Sequence, residues 1–231
     1  MSLKKKLDSI QNRIGFAQKR GGFDHPVQLV AVTKTHPFST VLECQKYGIN
    51  AIGENRIQEA IQKYRNHKGE MLGLTKRFIG HLQSNKVKKC LDLFDTVDSV
   101  DSAKLLKKIS QQSLQVGKTT PILFEINISG ENQKNGFLPH DVDQILECMD
   151  EPNIKADGLM TIGPNTNDKQ MIRESFIELR VLQEKINDAL KNKTLTELSM
   201  GMSNDFEIAV EEGSTMVRLG TSLFGPRGSK F

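Results

Sequence analysis

Lys34 directly follows the apolar run Leu29–Thr33, and its amine is the group in this chain best placed for covalent chemistry. A strand over that run aims the ammonium at the strand's C-terminal end rather than across the surface. Partial desolvation there lowers the amine's pKa and frees its lone pair for Schiff-base formation with a carbonyl. The same lysine can instead snorkel past the rim to water, and the residue alone leaves both outcomes open. Two later segments carry an anion-binding pattern. Ser199-Met200-Gly201-Met202-Ser203-Asn204 and Arg218-Leu219-Gly220-Thr221-Ser222 each place a glycine close to a hydroxyl at the end of an apolar run. Unpaired N–H groups at such a turn attract phosphate, and glycine lets the backbone approach it closely. Taken singly, Ser203 can cap a helix and Gly220 can turn the chain; together, at successive strand ends, they point to a phosphate. A buried Arg218 beside the second segment needs an acceptor, which is either a ligand atom or a structural ion pair with Glu125 or a neighbour.

These groups need elements that bring them together. Compact apolar runs recur at Leu29–Thr33, Asn50–Gly53, Phe78–Gly80, Phe94–Val97, Ile122–Ile128, Ala156–Met160, Glu197–Met200 and Met216–Leu219. Helical patterns lie between them. Ile172, Phe176, Leu179, Gln183, Ile186 and Leu190 trace one stripe, and Leu105, Leu106, Ile109 and Val116 another. A short helix is predicted from Asn204, with Glu207 as capping-box partner, ending at Gly213. Strand–helix alternation predicts a parallel sheet, and eight strands are the count for a closed α/β barrel, the (β/α)₈ or TIM type. Active groups in such barrels gather at the strand C-termini, and phosphate often sits on the loops after strands seven and eight. Leu3, Leu7, Ile10, Ile14 and Ala17 predict a helix over residues 1–20 that fills the vacant place on the outer ring. The whole of 1–231 reads as one domain.

The formal charge of +4 is spread among acidic residues, and two tyrosines with no tryptophan leave few stacking platforms, so nucleic acid is not the expected partner. No run of about 18 apolar residues suggests a membrane span, and the basic N-terminus lacks a signal-peptide core. Cys44, Cys90 and Cys148 are far apart and form no CxxC, so neither disulfides nor a metal site are expected. Together these traits predict a cytoplasmic protein.

The segments AVTK (31–34), GENRIQEA (53–60), FIGHLQSNK (78–86), INISGENQKNGF (126–137), GLMTIG (158–163) and LSMGMSNDFEIAVEEGSTMVRLGTSLFG (198–225) together resemble the YggS/PROSC family of pyridoxal phosphate (PLP) homeostasis proteins. The resemblance runs from about Leu29 to Gly225. It implies the barrel of the alanine racemase N-terminal domain without that enzyme's second, β-rich domain. It further implies that Lys34 forms the internal aldimine with PLP. Ser203, Gly220 and Thr221 would hold the phosphate with the backbone of Gly201 and Met202 nearby. Arg218 would face the pyridine nitrogen and Asn55 the ring, with Met200 and His81 lining the pocket. One departure shows: Lys76-Arg77 stands where the family usually has Trp-His before Phe-Ile-Gly, so no role for that histidine carries over. No catalytic residue is implied.

The implied function is a carrier or buffer of PLP that supplies apoenzymes, working as a monomer. An arginine beside the ring nitrogen disfavours its protonation and weakens the electron sink. Racemisation also needs a base on each face, and Tyr47 and Tyr64 read as lying in or near helices away from the strand ends. The alternatives are a weak PLP-dependent racemase or other Schiff-base enzyme, a phosphate-ligand enzyme in which Lys34 is purely electrostatic, and an interaction module.

Overall fold

In the computed structural model, which describes residues 2–131, 133–190 and 195–226, eight parallel strands pair in chain order and the eighth closes onto the first. Residue 132, within the 126–137 segment, and Met1 lie outside the described residues. The order is α1 (Leu3–Gly21), β1 (Gln28–Val32), α2 (Phe38–Lys46), β2 (Ala51–Glu54), α3 (Ile57–Tyr64), β3 (Thr75–Phe78), α4 (Val87–Leu91) and β4 (Thr96–Val100). It continues with α5 (Ala103–Gln115), β5 (Thr120–Glu125), α6 (Val142–Cys148), β6 (Ile154–Met160), α7 (Lys169–Ala189), β7 (Glu197–Ser199), α8 (Phe206–Glu211), β8 (Met216–Leu219) and α9 (Thr221–Phe224).

Side-chain caps set the starts of three helices. The Ser2 hydroxyl accepts the Lys5 N–H at the head of α1, Ser102 does the same for Leu105 at α5, and Asp168 accepts from Gln170 and Met171 at α7. The α7 stripe buries Ile172, Phe176, Leu179, Gln183 and Ile186, with Leu190 as its C-cap. Its one polar member is satisfied, since Gln183 Nε2 donates to the Glu197 carbonyl at 3.1 Å. The predicted capping box does not form. Asp205, not Asn204, is the N-cap of α8, and its carboxylate turns back to accept the Met202 N–H at 2.5 Å. Glu207 points outward instead, to Arg13 and Arg20 of α1.

Side chains alternate along each strand. The outward set packs on the helices, where Phe78, Val97, Ile122, Phe124 and Leu159 join the main core. A second core seats α1: Leu3, Leu7, Ile10, Ile14 and Ala17 pack against Phe206, Val210, Leu219 and Leu223. The N-terminal helix thus takes the outer place that the one-turn α9 leaves open, as its periodicity predicts. The inward set fills the lumen. Val30, Ala51 and Met216 form its apolar part, and Arg77 Nη1 pairs with both Asp98 oxygens at 3.1 and 3.0 Å. That pair accounts for the displaced boundaries of β3 and β4. Strand β3 begins at Thr75 and runs through Lys76-Arg77, charged residues that an apolar-run search passes over, and Asp98 sits fully buried on β4. Strand β5 begins two residues earlier than its apolar run and ends at Glu125, with Ile126 bridging to Phe137 instead.

Candidate functional site

The C-terminal ends of the strands open on a cavity of about 920 Å³, within the range of small-molecule and cofactor sites. Lys34, two residues beyond β1, lines it. The segment that carries Lys34 is tied down on both sides. The Thr33 N–H donates to the Gly53 carbonyl at 3.1 Å, extending the sheet by one residue. The Thr33 hydroxyl donates to Glu54 Oε1 at 2.7 Å, and Lys63 Nζ donates to the Thr33 carbonyl at 2.7 Å. Asn55 and His81 enter from the neighbouring strand ends. Gly80 permits this approach, because a Cβ there would lie 2.3 Å from the Asn55 carbonyl oxygen.

Next to Lys34 the two glycine–hydroxyl segments meet, because β8 pairs with β1. Ser203 Oγ accepts the N–H of Gly220 at 3.3 Å and of Ser222 at 3.1 Å, and the Ser222 hydroxyl donates to the Ser203 carbonyl at 3.2 Å. One serine therefore laces the loop after β7 to the loop after β8. Among the described residues the N–H groups of Ser203, Asn204 and Thr221 have no hydrogen-bond partner. They supply unpaired donors in the same cavity as Lys34. A smaller recess lined by Lys34, His36, Gly220 and Thr221 joins the amine side to these loops.

Arg218 is 5% exposed. It does not form the ion pair with Glu125 that its burial left open. Nη1 donates to the Ser199 carbonyl and hydroxyl at 2.7 and 2.8 Å, and Nη2 to the Thr161 carbonyl at 2.7 Å. Neutral acceptors thus hold three of its five N–H groups and leave the guanidinium a fixed cation at the cavity floor. Burial works against that charge, and Asp98, Glu125 and Asp205 favour it. Glu125 faces the same cavity. Desolvation, and then the negative charge of Asp101, push its carboxyl up to about 7 against the pull of Arg218. Asp101 Oδ2 in turn lies 3.0 Å from His81 Nδ1 and accepts its N–H.

Of the residues the sequence singled out, Lys34, Asn55, His81 and Arg218 line this cavity, as do Met202, Ser203, Gly220 and Thr221. Met200 and Gly201 do not. Met200, the residue after β7, is fully buried in the main core. Gly201 has φ +95°, and a Cβ there would lie 2.6 Å from the Ala209 Cβ, so it seats the loop on α8 behind the cavity wall. Gly220, with φ −120°, needs no left-handed freedom. Tyr64 departs from expectation in part. It lies on α3 outside the barrel, yet its hydroxyl donates to Glu54 Oε1 at 3.1 Å at the end of β2. It does not line the cavity, and neither does Tyr47. Lys134 does, donating to Ser129 Oγ at 3.0 Å and the Gly163 carbonyl at 3.2 Å. Only its position beside Glu131 and Asn135 in a polar loop hinted at that. Arg77, where the histidine of the resembled family would stand, lies in the lumen paired to Asp98. Among the described residues no metal-binding cluster occurs and no helix is long and apolar enough to cross a membrane.

Eight parallel strands closed in chain order, with a lysine beyond the first and unpaired donors after the seventh and eighth lining one cavity, define a barrel of the alanine racemase N-terminal type. A family model described as "Alanine racemase, N-terminal domain" matches residues 6–228. The "Pyridoxal phosphate homeostasis protein" of Aquifex aeolicus is 37% identical over 229 residues, covering 98% of this chain and 99% of that one. The solved structure of PipY from Synechococcus elongatus, with PLP bound, superposes with a TM-score of 0.85 at 30% identity, covering 97% of this chain and all of PipY. An alanine racemase of Clostridium difficile shares the fold at TM-score 0.70 and 17% identity, and this chain covers 58% of it. The chain belongs to the pyridoxal phosphate homeostasis protein family (YggS/PipY).

Proposed function

We propose that this protein binds pyridoxal 5′-phosphate covalently at Lys34 and serves as a carrier that keeps the cofactor available to apoenzymes. The observation that carries the reading is the placement of Lys34 and the Ser203-laced loops side by side in the lining of one cavity, on strand ends that neighbour one another in the barrel. When bound, the cofactor supplies an electrophilic aldehyde that condenses with an amine and releases water. Lys34 offers that amine. The Ser203, Asn204 and Thr221 N–H groups are free to receive the phosphate, and Arg218 offers its remaining N–H groups at the cavity floor. As a guanidinium, Arg218 donates hydrogen bonds but does not transfer a proton to a ring nitrogen. The bound homologue PipY and the family's name support the same assignment. Three buried, unpaired thiols support a reducing, cytoplasmic setting.

Borohydride reduction of cofactor-saturated protein, followed by peptide mass spectrometry, tests the reading. A pyridoxyl group on Lys34, with visible absorbance lost in Lys34→Ala, is the expected result. Reduced protein that carries no pyridoxyl group at Lys34 overturns it. A second reading, weak amino-acid racemisation, rests on the Glu125 carboxyl at about 7, a value suited to general acid–base work at neutral pH. Stereochemical scrambling of amino acids by wild type and its loss in Glu125→Gln decide that reading.

A further inference from the structure

Thr35, the residue after Lys34, has φ +66°. The left-handed region is unfavourable for a β-branched residue, and among the described residues only Thr35 and Asn153 occupy it without being glycine. Such strain persists only where the surroundings impose it. Here they do. The Thr35 N–H donates to Glu59 Oε1 of α3. Glu59 lies 3.6 Å from Lys63 Nζ, one helical turn on, and Lys63 Nζ bonds both the Thr33 carbonyl and Glu54 Oε1 at 2.7 Å. The same Glu54 oxygen takes the Thr33 and Tyr64 hydroxyls. One polar network therefore grips residues 33 and 35, the two neighbours of Lys34, from outside the barrel. Lys34 lies between the two grips.

The network is costly to keep. Glu54 is fully buried, its Oε2 has no partner, and the Lys63 side chain is only 6% exposed. A buried charge pair is often no more stable than apolar packing of the same volume, so stability alone does not account for it. We infer that Glu59 and Lys63 are positioning residues for Lys34: by holding Thr35 in the left-handed conformation they fix the direction from which Nζ approaches the aldehyde of a phosphate-anchored ligand. This rests on the assignment of Lys34 made above.

The test compares two ligands and two substitutions. Pyridoxal 5′-phosphate engages both the phosphate loops and Lys34, whereas pyridoxine 5′-phosphate has an alcohol in place of the aldehyde and engages only the loops. Glu59→Ala is expected to weaken pyridoxal phosphate binding about tenfold, equivalent to about 1.4 kcal/mol, and pyridoxine phosphate binding less than twofold. Adding Thr35→Gly to Glu59→Ala is expected to restore affinity to within about threefold of wild type, because glycine adopts φ +66° without penalty. Glu59→Gln, which keeps an acceptor oxygen for the Thr35 N–H, is expected to stay within about twofold. The Glu59 side chain is 26% exposed, so its loss leaves no buried hole, and melting curves verify the fold of each variant. Equal weakening toward both ligands, or no rescue by Thr35→Gly, overturns the inference. Wild-type protein that forms the reducible Lys34 adduct, with Glu59→Ala indistinguishable from it, refutes the positioning role alone. Wild-type protein without the adduct refutes the Lys34 assignment itself.

Discussion

Replacing Glu125 by glutamine removes one pH-dependent component of the apoprotein's stability. The carboxyl ends β5 inside the cavity, and burial with Asp101 nearby raises it from an ordinary 4.5 to about 7. Below about pH 4.5 both folded and unfolded chains hold the proton, and the group imposes no penalty. Between there and pH 7 the unfolded chain has released the proton while the folded chain retains it. The folded state then binds more protons, so stability falls as pH rises, and above pH 7 the loss is complete. The separation of the two values, at about 1.36 kcal/mol per pH unit, corresponds to about 3 kcal/mol. Glutamine has a similar shape and never ionises. Urea unfolding of wild type and Glu125→Gln at intervals from pH 4.5 to 8 measures the difference. Equal stability is expected near pH 4.5, with the variant ahead by about 3 kcal/mol at pH 8, which is roughly 10 °C in melting temperature for a chain of this size. A difference that does not change with pH, or a variant less stable at pH 8, refutes the argument.

Three further outcomes follow from the same geometry. Gly201→Ala combines φ +95° with a Cβ 2.6 Å from that of Ala209, and is expected to cost about 2–4 kcal/mol in denaturant unfolding. Ser203→Ala removes the acceptor shared by the Gly220 and Ser222 N–H groups. It is expected to cost about 1–2 kcal/mol in stability and to weaken inorganic phosphate binding measured by calorimetry. Burial raises the Cys44 thiol to about 12 and the Cys148 thiol to about 11, and pushes Cys90 upward as well. A thiol reagent at pH 7.5 is therefore expected to label none of the three in native protein and all three in denaturant.

The barrel was legible because its signals are local. Eight β-rich runs separated by helical stripes announce alternation, and the outer place for α1 follows from Leu3, Leu7, Ile10, Ile14 and Ala17. The loops after β7 and β8 were legible for a related reason: glycine beside hydroxyl at a strand end is a pattern within a few residues. Strand boundaries were less so. Thr75-Lys76-Arg77 is strand although two of its residues are charged, since one charge is neutralised by Asp98 on the neighbouring strand, 21 positions away. Periodicity reports which face a residue takes, but not which partner waits there. Asn204 has the spacing of a capping residue, but the helix starts one residue later, and the Asp205 carboxylate folds back onto the Met202 N–H of the loop.

What the sequence determined by itself was the order of elements, and what it offered for the site was a candidate amine and two candidate anion-binding loops at the strand C-termini. Only the tertiary structure decided how those groups are charged and held. Arg218 rests on carbonyls from β7 and the loop after β6 rather than on Glu125, whose proton affinity depends on its distance from Asp101 and from water. Met200 was buried in the main core, and Thr33 and Thr35 came under the grip of α3. Spacing along a chain governs contacts within a turn or a strand, whereas desolvation and long-range hydrogen bonds arise only once closure of the barrel sets residues from distant segments within a few ångströms of one another.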